Sequence, residues 1–145
     1  MRTTRQVAIF CSMIENGRIF FILVKRHPSR GGFWQSLTGG EEDYDNNNLY
    51  TTVIRETKEE LGLEITKTNI LEIPYSFKFT DRDGIERSEH CFGVQIPLDQ
   101  KSQMKLSDEH TAIIFSEDVE YLKSLMKYEQ NKIALEKFQK ILQEE

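Results

Sequence analysis

The chain has 145 residues, 30% of them charged and 38% hydrophobic, with a net charge of −5 at neutral pH. That length suits one domain around one core, here spanning 1–145, and the negative charge argues against general binding to a nucleic-acid backbone, which calls for a basic surface. The two cysteines, Cys11 and Cys91, are too few for a disulfide framework, and the apolar run Val7–Ile14 is too short to span a bilayer and lacks a signal-peptide pattern, so a cytoplasmic protein is expected.

Val7–Ile14 is apolar except at Ser12 and reads as a buried strand. Glu15-Asn16-Gly17 has the residue types of a hairpin turn, and Ile19–Lys25 is the partner strand. Arg26–Gly32, with Pro28 and two glycines, reads as a loop carrying the basic cluster Lys25, Arg26, His27 and Arg30. Trp34–Leu37 is a short strand feeding the pair Gly39-Gly40, expected to turn tightly and to let the backbone approach a ligand. An acidic, Asn-rich loop, Glu41–Asn48, leads to a helix over Leu49–Leu61, with Asn47 or Asn48 as its N-cap and Gly62 as its stop.

Glu64–Ile73 reads as a strand or an irregular edge. Tyr75–Thr80 and Arg87–Ile96 flank the turn Asp81-Arg82-Asp83-Gly84. Ile113–Phe115 is a short strand, Ser116 is placed to cap a helix over Glu117–Met126, and Asn131–Gln143 forms a last helix with an apolar stripe. Strands interleaved with helices, without regular βαβ alternation, predict an α/β fold with a mixed sheet and helices on both faces.

The chemistry concentrates in the first helix, at Arg55-Glu56-Thr57-Lys58-Glu59-Glu60-Leu61-Gly62-Leu63. With Glu56 as origin, Glu60 lies at about 40° around the helix and Glu59 at about −60°. The three carboxylates are therefore neighbours, while Tyr50, Val53, Thr57 and Leu61 form a different face that can enter a core. Like charges this close repel unless something offsets them. A hard divalent cation with oxygen ligands would do so, whereas a solvated acidic face paired with Lys58 and Arg55 is the ordinary alternative.

Strand, glycine pair, polar loop and acidic helix together resemble the Nudix hydrolase family, whose pattern is G-x5-E-x7-R-E-U-x-E-E-x-G-U with U apolar. Arg55, Glu56, Glu59, Glu60, Gly62 and Leu63 match its second half, and Thr57 stands at an apolar position. The first half departs. From Gly39 the spacing reaches Asp45 in place of Glu, and nine residues rather than seven then precede Arg55. The loop is about two residues longer, and Asp45 is the nearest substitute for the missing Glu. Phe33-Trp34-Gln35-Ser36 before Thr38-Gly39, Arg87-Ser88-Glu89-His90-Cys91-Phe92, and Ser107-Asp108-Glu109-His110-Thr111-Ala112 are also similar to runs in the dihydroneopterin triphosphate/dATP pyrophosphohydrolase branch.

The resemblance implies an α/β/α sandwich and hydrolysis of a pyrophosphate bond, with Mg2+, or Mn2+ in its place, as cofactor. It implies metal ligands at Glu56, Glu59, Glu60 and the Gly39 carbonyl, and a metal-binding or proton-accepting role for Glu109, with Asp108 as fallback. If Glu109 is not the base, a helix carboxylate must be. Arg55 is assigned to orienting carboxylates through its planar fork. His110 reads as a partner of these groups or as a simple loop residue. Arg26 is a candidate phosphate contact, with Gly39 and Gly40 beside it. Trp34 is a candidate for stacking on a base, with core packing as the competing reading. Phe77, Phe79 and Tyr75 share one strand face and read as core or as the lining of a base pocket.

The substrate expected first is a nucleoside or pterin triphosphate, cleaved to the monophosphate and pyrophosphate. Dinucleoside polyphosphates, capped RNA ends and nucleotide sugars are alternatives, and a nucleotide-binding module with weakened catalysis ranks last. The expected assembly is a monomer or homodimer, without membrane association.

Overall fold

A computed structural model describes residues 1–144. The first strand, β1 (Arg2–Glu15), is longer than its apolar run, because polar Arg2–Gln6 also find ladder partners. Asn16 and Gly17, both at positive φ, turn the chain into β2 (Arg18–Arg26). Two short segments follow, β3 (Trp34–Gln35) and β4 (Leu37–Glu42), then α1 (Leu49–Leu61). The second half contains β5 (Ile70–Thr80), β6 (Glu86–Gln95), β7 (His110–Ser116), α2 (Val119–Leu125) and α3 (Glu129–Gln143).

The seven strands form one mixed sheet with the path β3-β2-β1-β6-β5; β4 pairs with β1 and β7 with β2. Only β1 and β6 run parallel, from Arg5↔Ser88 to Ser12↔Gln95. On its other edge β1 changes partner. Cys11–Glu15 pair with β2, whereas Gln6–Ile9 pair with β4. The sheet thus forks at the middle of β1, and the cavity described below lies beside this fork.

Burial of both faces of β1 explains its apolar run, broken only at Ser12. Val7, Ile9, Cys11 and Met13 pack with Val53 and Leu61 of α1. Ala8 and Phe10 point the other way, to a second cluster with Leu122 of α2 and Ala134, Leu135 and Phe138 of α3. Phe138 meets Phe21 edge-on at 5.7 Å. Helices therefore cover both faces, as the α/β/α expectation required. No helix among the described residues is long and apolar enough to cross a membrane.

Several local expectations are corrected. Gly39 and Gly40 do not make a turn; they lie inside β4, opposite Val7 and Gln6, and neither has positive φ. The predicted strand Trp34–Leu37 is split at Ser36, and its second part runs on through the glycines. Pro74 does not divide two strands. It lies in β5 where the register with β6 shifts, between Glu72 and Ser76, so its missing N–H leaves no gap in a regular ladder. Residues Glu64–Asn69 are irregular apart from a 3-10 turn at Lys67–Asn69. Asp118, not Ser116, caps α2 by accepting the Tyr121 N–H.

Candidate active site

Asp45 is the buried anchor of the loop before α1, and Arg5 adds an outer tie by donating to the Asn47 amide oxygen at 2.9 Å. Asp45 is 1% exposed and accepts from the Glu42 N–H at 2.9 Å, the Thr52 hydroxyl at 2.8 Å, and the Arg55 fork at 3.2 and 2.9 Å. Burial alone would raise its pKa, but Arg55, the Glu42 N–H and Thr52 outweigh burial and hold the carboxyl below its ordinary value. Asn46 and Asn47 take left-handed conformations, a position that asparagine tolerates, and Asn48 caps α1 through the Tyr50 N–H. Asp45, weighed above as a stand-in for a metal-contacting Glu, has its oxygens turned to the loop and to Arg55.

Arg55 connects this anchor to the acidic helix face. It donates to the Gly40 carbonyl at 2.8 Å, to Glu56 at 2.8 Å and to Glu59 at 3.4 Å. Its bidentate partner is Asp45, so it orients Glu56 and Glu59 through one nitrogen only. Asp45 first, then Glu56, raises its already high pKa. Glu56 lies against β4 because Gly39 has no side chain, and a methyl there would overlap the Glu56 carboxyl. A methyl at Gly40 would likewise overlap Arg2. The glycine pair serves close approach rather than a turn.

The other end of α1 is tied to the β7 entry. Backbone N–H groups of Lys105 and Ser107 donate to the carbonyls of Leu61 and Glu60 at 2.8 and 3.1 Å, and the Ser107 hydroxyl donates to the Glu60 carboxylate at 3.0 Å. This brings His110, at the start of β7, to Glu60, with Nδ1 2.9 Å from Oε2. The direction is off the line of an ideal hydrogen bond. His110 is therefore a buried neighbour of the acidic cluster and not a simple loop residue. Glu109 stands beside Glu60 and pairs with Arg30 at 3.4 Å. Burial opposes ionisation of Glu60, but His110, Glu109 and Ser107 together hold its pKa down. Burial and the Glu60 charge push Glu109 the other way, up. Glu56 is pushed up to about 7, by burial first and then by Glu59, with Arg55 offsetting only part.

These groups line one cavity of about 480 Å³. Glu56, Glu59 and Glu60 of α1 face it, with Gly39 and Gly40 of β4 and with Glu109 and His110 at β7. Arg2, Arg26 and Arg30 supply positive charge on the same walls. Trp34 lies outside that wall. It packs against the cluster under α2 and α3, as expected for a large ring in a strand that pairs with β2. Phe77 and Phe79 are half-buried on β5 and line an adjoining cavity with Gln6, Gln35 and Glu89. Arg2 and Gln6 carried no signal in the sequence, and Glu89 stood only within the run Arg87–Phe92; β1 pairing with β4 places Arg2 here, and pairing with β6 sets Gln6 opposite Glu89.

The donor set suits a hard divalent cation. It is all oxygen and anionic, and burial first, then the Glu59 charge, raises the pKa of Glu56. Among the described residues, no three acidic, histidine or cysteine side chains already converge on one point. Glu56 is engaged by Arg55 and Glu60 by His110 and Ser107.

Comparison with known proteins agrees with this geometry. The family model described as "NUDIX domain" matches residues 3–138. The Ap4A hydrolase of C. elegans, in a binary complex, superposes with a TM-score of 0.78 at 20% identity, covering 99% of this chain and 100% of that one. The dihydroneopterin triphosphate pyrophosphohydrolase of E. coli superposes with a TM-score of 0.75 at 20% identity, covering 94% and 95%. A curated relative, an octanoyltransferase of Myxococcus xanthus, is 33% identical over 94 residues. That match covers 63% of this chain and spans only 24% of the relative's length.

Proposed function

The chain belongs to the Nudix family, and from that premise we propose that it is a pyrophosphohydrolase, a hydrolase of acid anhydrides, that cleaves a nucleoside or pterin triphosphate into the monophosphate and pyrophosphate. The observation that carries this reading is the meeting, in one cavity, of the α1 carboxylates with Arg2, Arg26 and Arg30. A polyphosphate tail needs both. Arginines neutralise and orient its oxygens, and the carboxylates would hold a divalent cation that offsets the remaining charge.

In this reading Glu56, Glu59, Glu60 and the Gly39 carbonyl hold Mg2+, for which Mn2+ can substitute. When bound, the ion neutralises phosphate charge and makes a bound water more acidic. Arg55 keeps Glu56 against β4 and Glu59 toward the cavity. Arg26 and Arg30, with Arg2 opposite, bind the phosphate oxygens. Glu109 takes the proton of the attacking water on a carboxylate oxygen, and His110 and Ser107 keep the neighbouring Glu60 ionised. The new bond joins the water oxygen to phosphorus, and the bridging P–O bond between the α and β phosphates breaks, giving monophosphate and pyrophosphate. The protein acts on small molecules in the cytoplasm, as a monomer or homodimer, without general nucleic-acid binding.

The test is a substrate panel with product analysis, run with Mg2+ and with chelator, on the wild type and on E59Q. Glu59 is the most exposed of the three helix acids, so E59Q should leave the fold intact while turnover falls by about a hundredfold or more. Near-normal turnover in E59Q and E60Q would refute the site. Release of ATP from diadenosine tetraphosphate, with no pyrophosphate from any triphosphate, would move the substrate to the dinucleoside polyphosphates.

A further inference from the structure

A second cavity, of about 440 Å³, adjoins the carboxylate cavity. Gln6, Arg26, Gln35, Thr38 and Phe79 belong to the walls of both. A molecule with a charged tail in the first can therefore place its other end in the second. The lining there is different. Phe77 and Phe79 stand on one face of β5 with ring centroids 6.2 Å apart, offering an aromatic surface to a flat ring.

Beside this surface lies Glu89 of β6, a carboxyl only 6% exposed. The Gln6 amide donates to it, and no cation is paired with it among the described residues. The orientation of Gln6 is fixed from its other side, because Arg2 donates to Gln6 Oε1 at 2.8 Å. Nε2 is thus the end turned to Glu89, and Glu89 serves as acceptor. Burial pushes the carboxyl above its ordinary range, since one N–H is less than an anion requires. Asn131, also buried in this wall, uses its amide oxygen to accept the Ser36 N–H at 3.4 Å. Its amide nitrogen is left to donate.

The missing partner of Glu89 is a pair of adjacent N–H donors on a planar ring. The imino and amino groups of a 2-amino-4-oxo pyrimidine ring, the shared edge of guanine and pterin, present such a pair and meet a carboxylate bidentately. The exocyclic oxygen beside them is an acceptor for the amide nitrogen of Asn131, which lines the same cavity. Adenine offers one amino N–H next to a bare ring nitrogen, which would face a carboxylate lone pair.

We propose that Glu89, oriented by Gln6 beside the Phe77–Phe79 surface, is the specificity residue of a base pocket that selects guanine- or pterin-type rings over adenine. This deepens the reading of the chain as a triphosphate hydrolase and rests on it for the placing of the tail.

The test separates ring from tail. Binding of guanosine, neopterin and adenosine, none of which has a phosphate, is measured by titration NMR in chelator on the wild type and on E89Q. The wild type binds guanosine and neopterin at least about tenfold more tightly than adenosine, the scale of one bidentate contact. E89Q reverses that order, because a glutamine amide pairs with adenine and not with two donors. Equal binding of the three by the wild type, no detectable binding of any, or an unchanged preference in E89Q overturns the proposal. A wild type that prefers guanosine but hydrolyses no triphosphate supports the pocket and overturns the hydrolase assignment instead. Turnover without ring preference does the reverse.

Discussion

Replacing Asp45 by Asn tests whether the loop anchor is a buried ion pair. The substitution keeps the shape, removes the charge, and puts an amide NH2 where donors already crowd. Glu42, Thr52 and two Arg55 nitrogens all point at the Asp45 oxygens. Losing one partner of a buried pair costs about 3–5 kcal/mol. Arg55 keeps Glu56 and the Gly40 carbonyl and is itself 19% exposed, so the lower end, about 3 kcal/mol, applies. With a urea slope of about 2 kcal/mol per M, the unfolding midpoint falls by about 1.5 M. The pH dependence has a definite sign. The folded-state pKa of Asp45 lies below its ordinary 3.8, so its contribution is present above that value and is lost as pH falls through the folded pKa. The gap between wild type and D45N should be constant at neutral pH and close in acid. A loss under about 1 kcal/mol at pH 7, or a gap that does not change with acid, would show that Asp45 behaves as an exposed surface acid.

Two more outcomes are expected. In G39A the added methyl overlaps the Glu56 carboxyl. Overpacking of this kind costs about 1–3 kcal/mol, and turnover should fall at least about tenfold, with a smaller rise in Tm on adding Mg2+ than the wild type shows; a normal rise would mean that Glu56 does not depend on the glycine. In chelator, Glu56 has a folded-state pKa of about 7 against an ordinary 4.5. The wild type should therefore lose stability relative to E56Q as pH rises from 4.5 through 7, read as the difference in Tm between the two proteins, and a difference independent of pH would contradict the burial of that charge.

The helix that carries the acids was legible at both ends, with its cap narrowed to Asn47 or Asn48. Asn48 caps it and Gly62 stops it in the left-handed conformation, because caps and breakers are local signals. Helices on both faces of a mixed sheet were legible because strands and helices interleave without regular alternation, and the sandwich came from the family resemblance. The glycine pair was misread as a turn because glycine marks close approach and reversal alike, and the obstacle at Gly39 is Glu56, a residue distant in sequence. His110 and Glu89 were obscured differently. Their partners, Glu60 and Gln6, come from other elements, and no spacing within one segment encodes such a meeting. Trp34 illustrates the converse, a residue whose type suggested a ligand and whose strand pairing put it against the core.

The loop ahead of α1 is fastened by a carboxylate rather than by its length. Asn46 and Asn47 take up slack in left-handed steps while Asp45 reaches back to Arg55. Insertions or deletions after that fastening point can accumulate without rotating the acidic face of the helix. In this chain the helix is set by the grip of one acid on one guanidinium, whatever the number of residues between them.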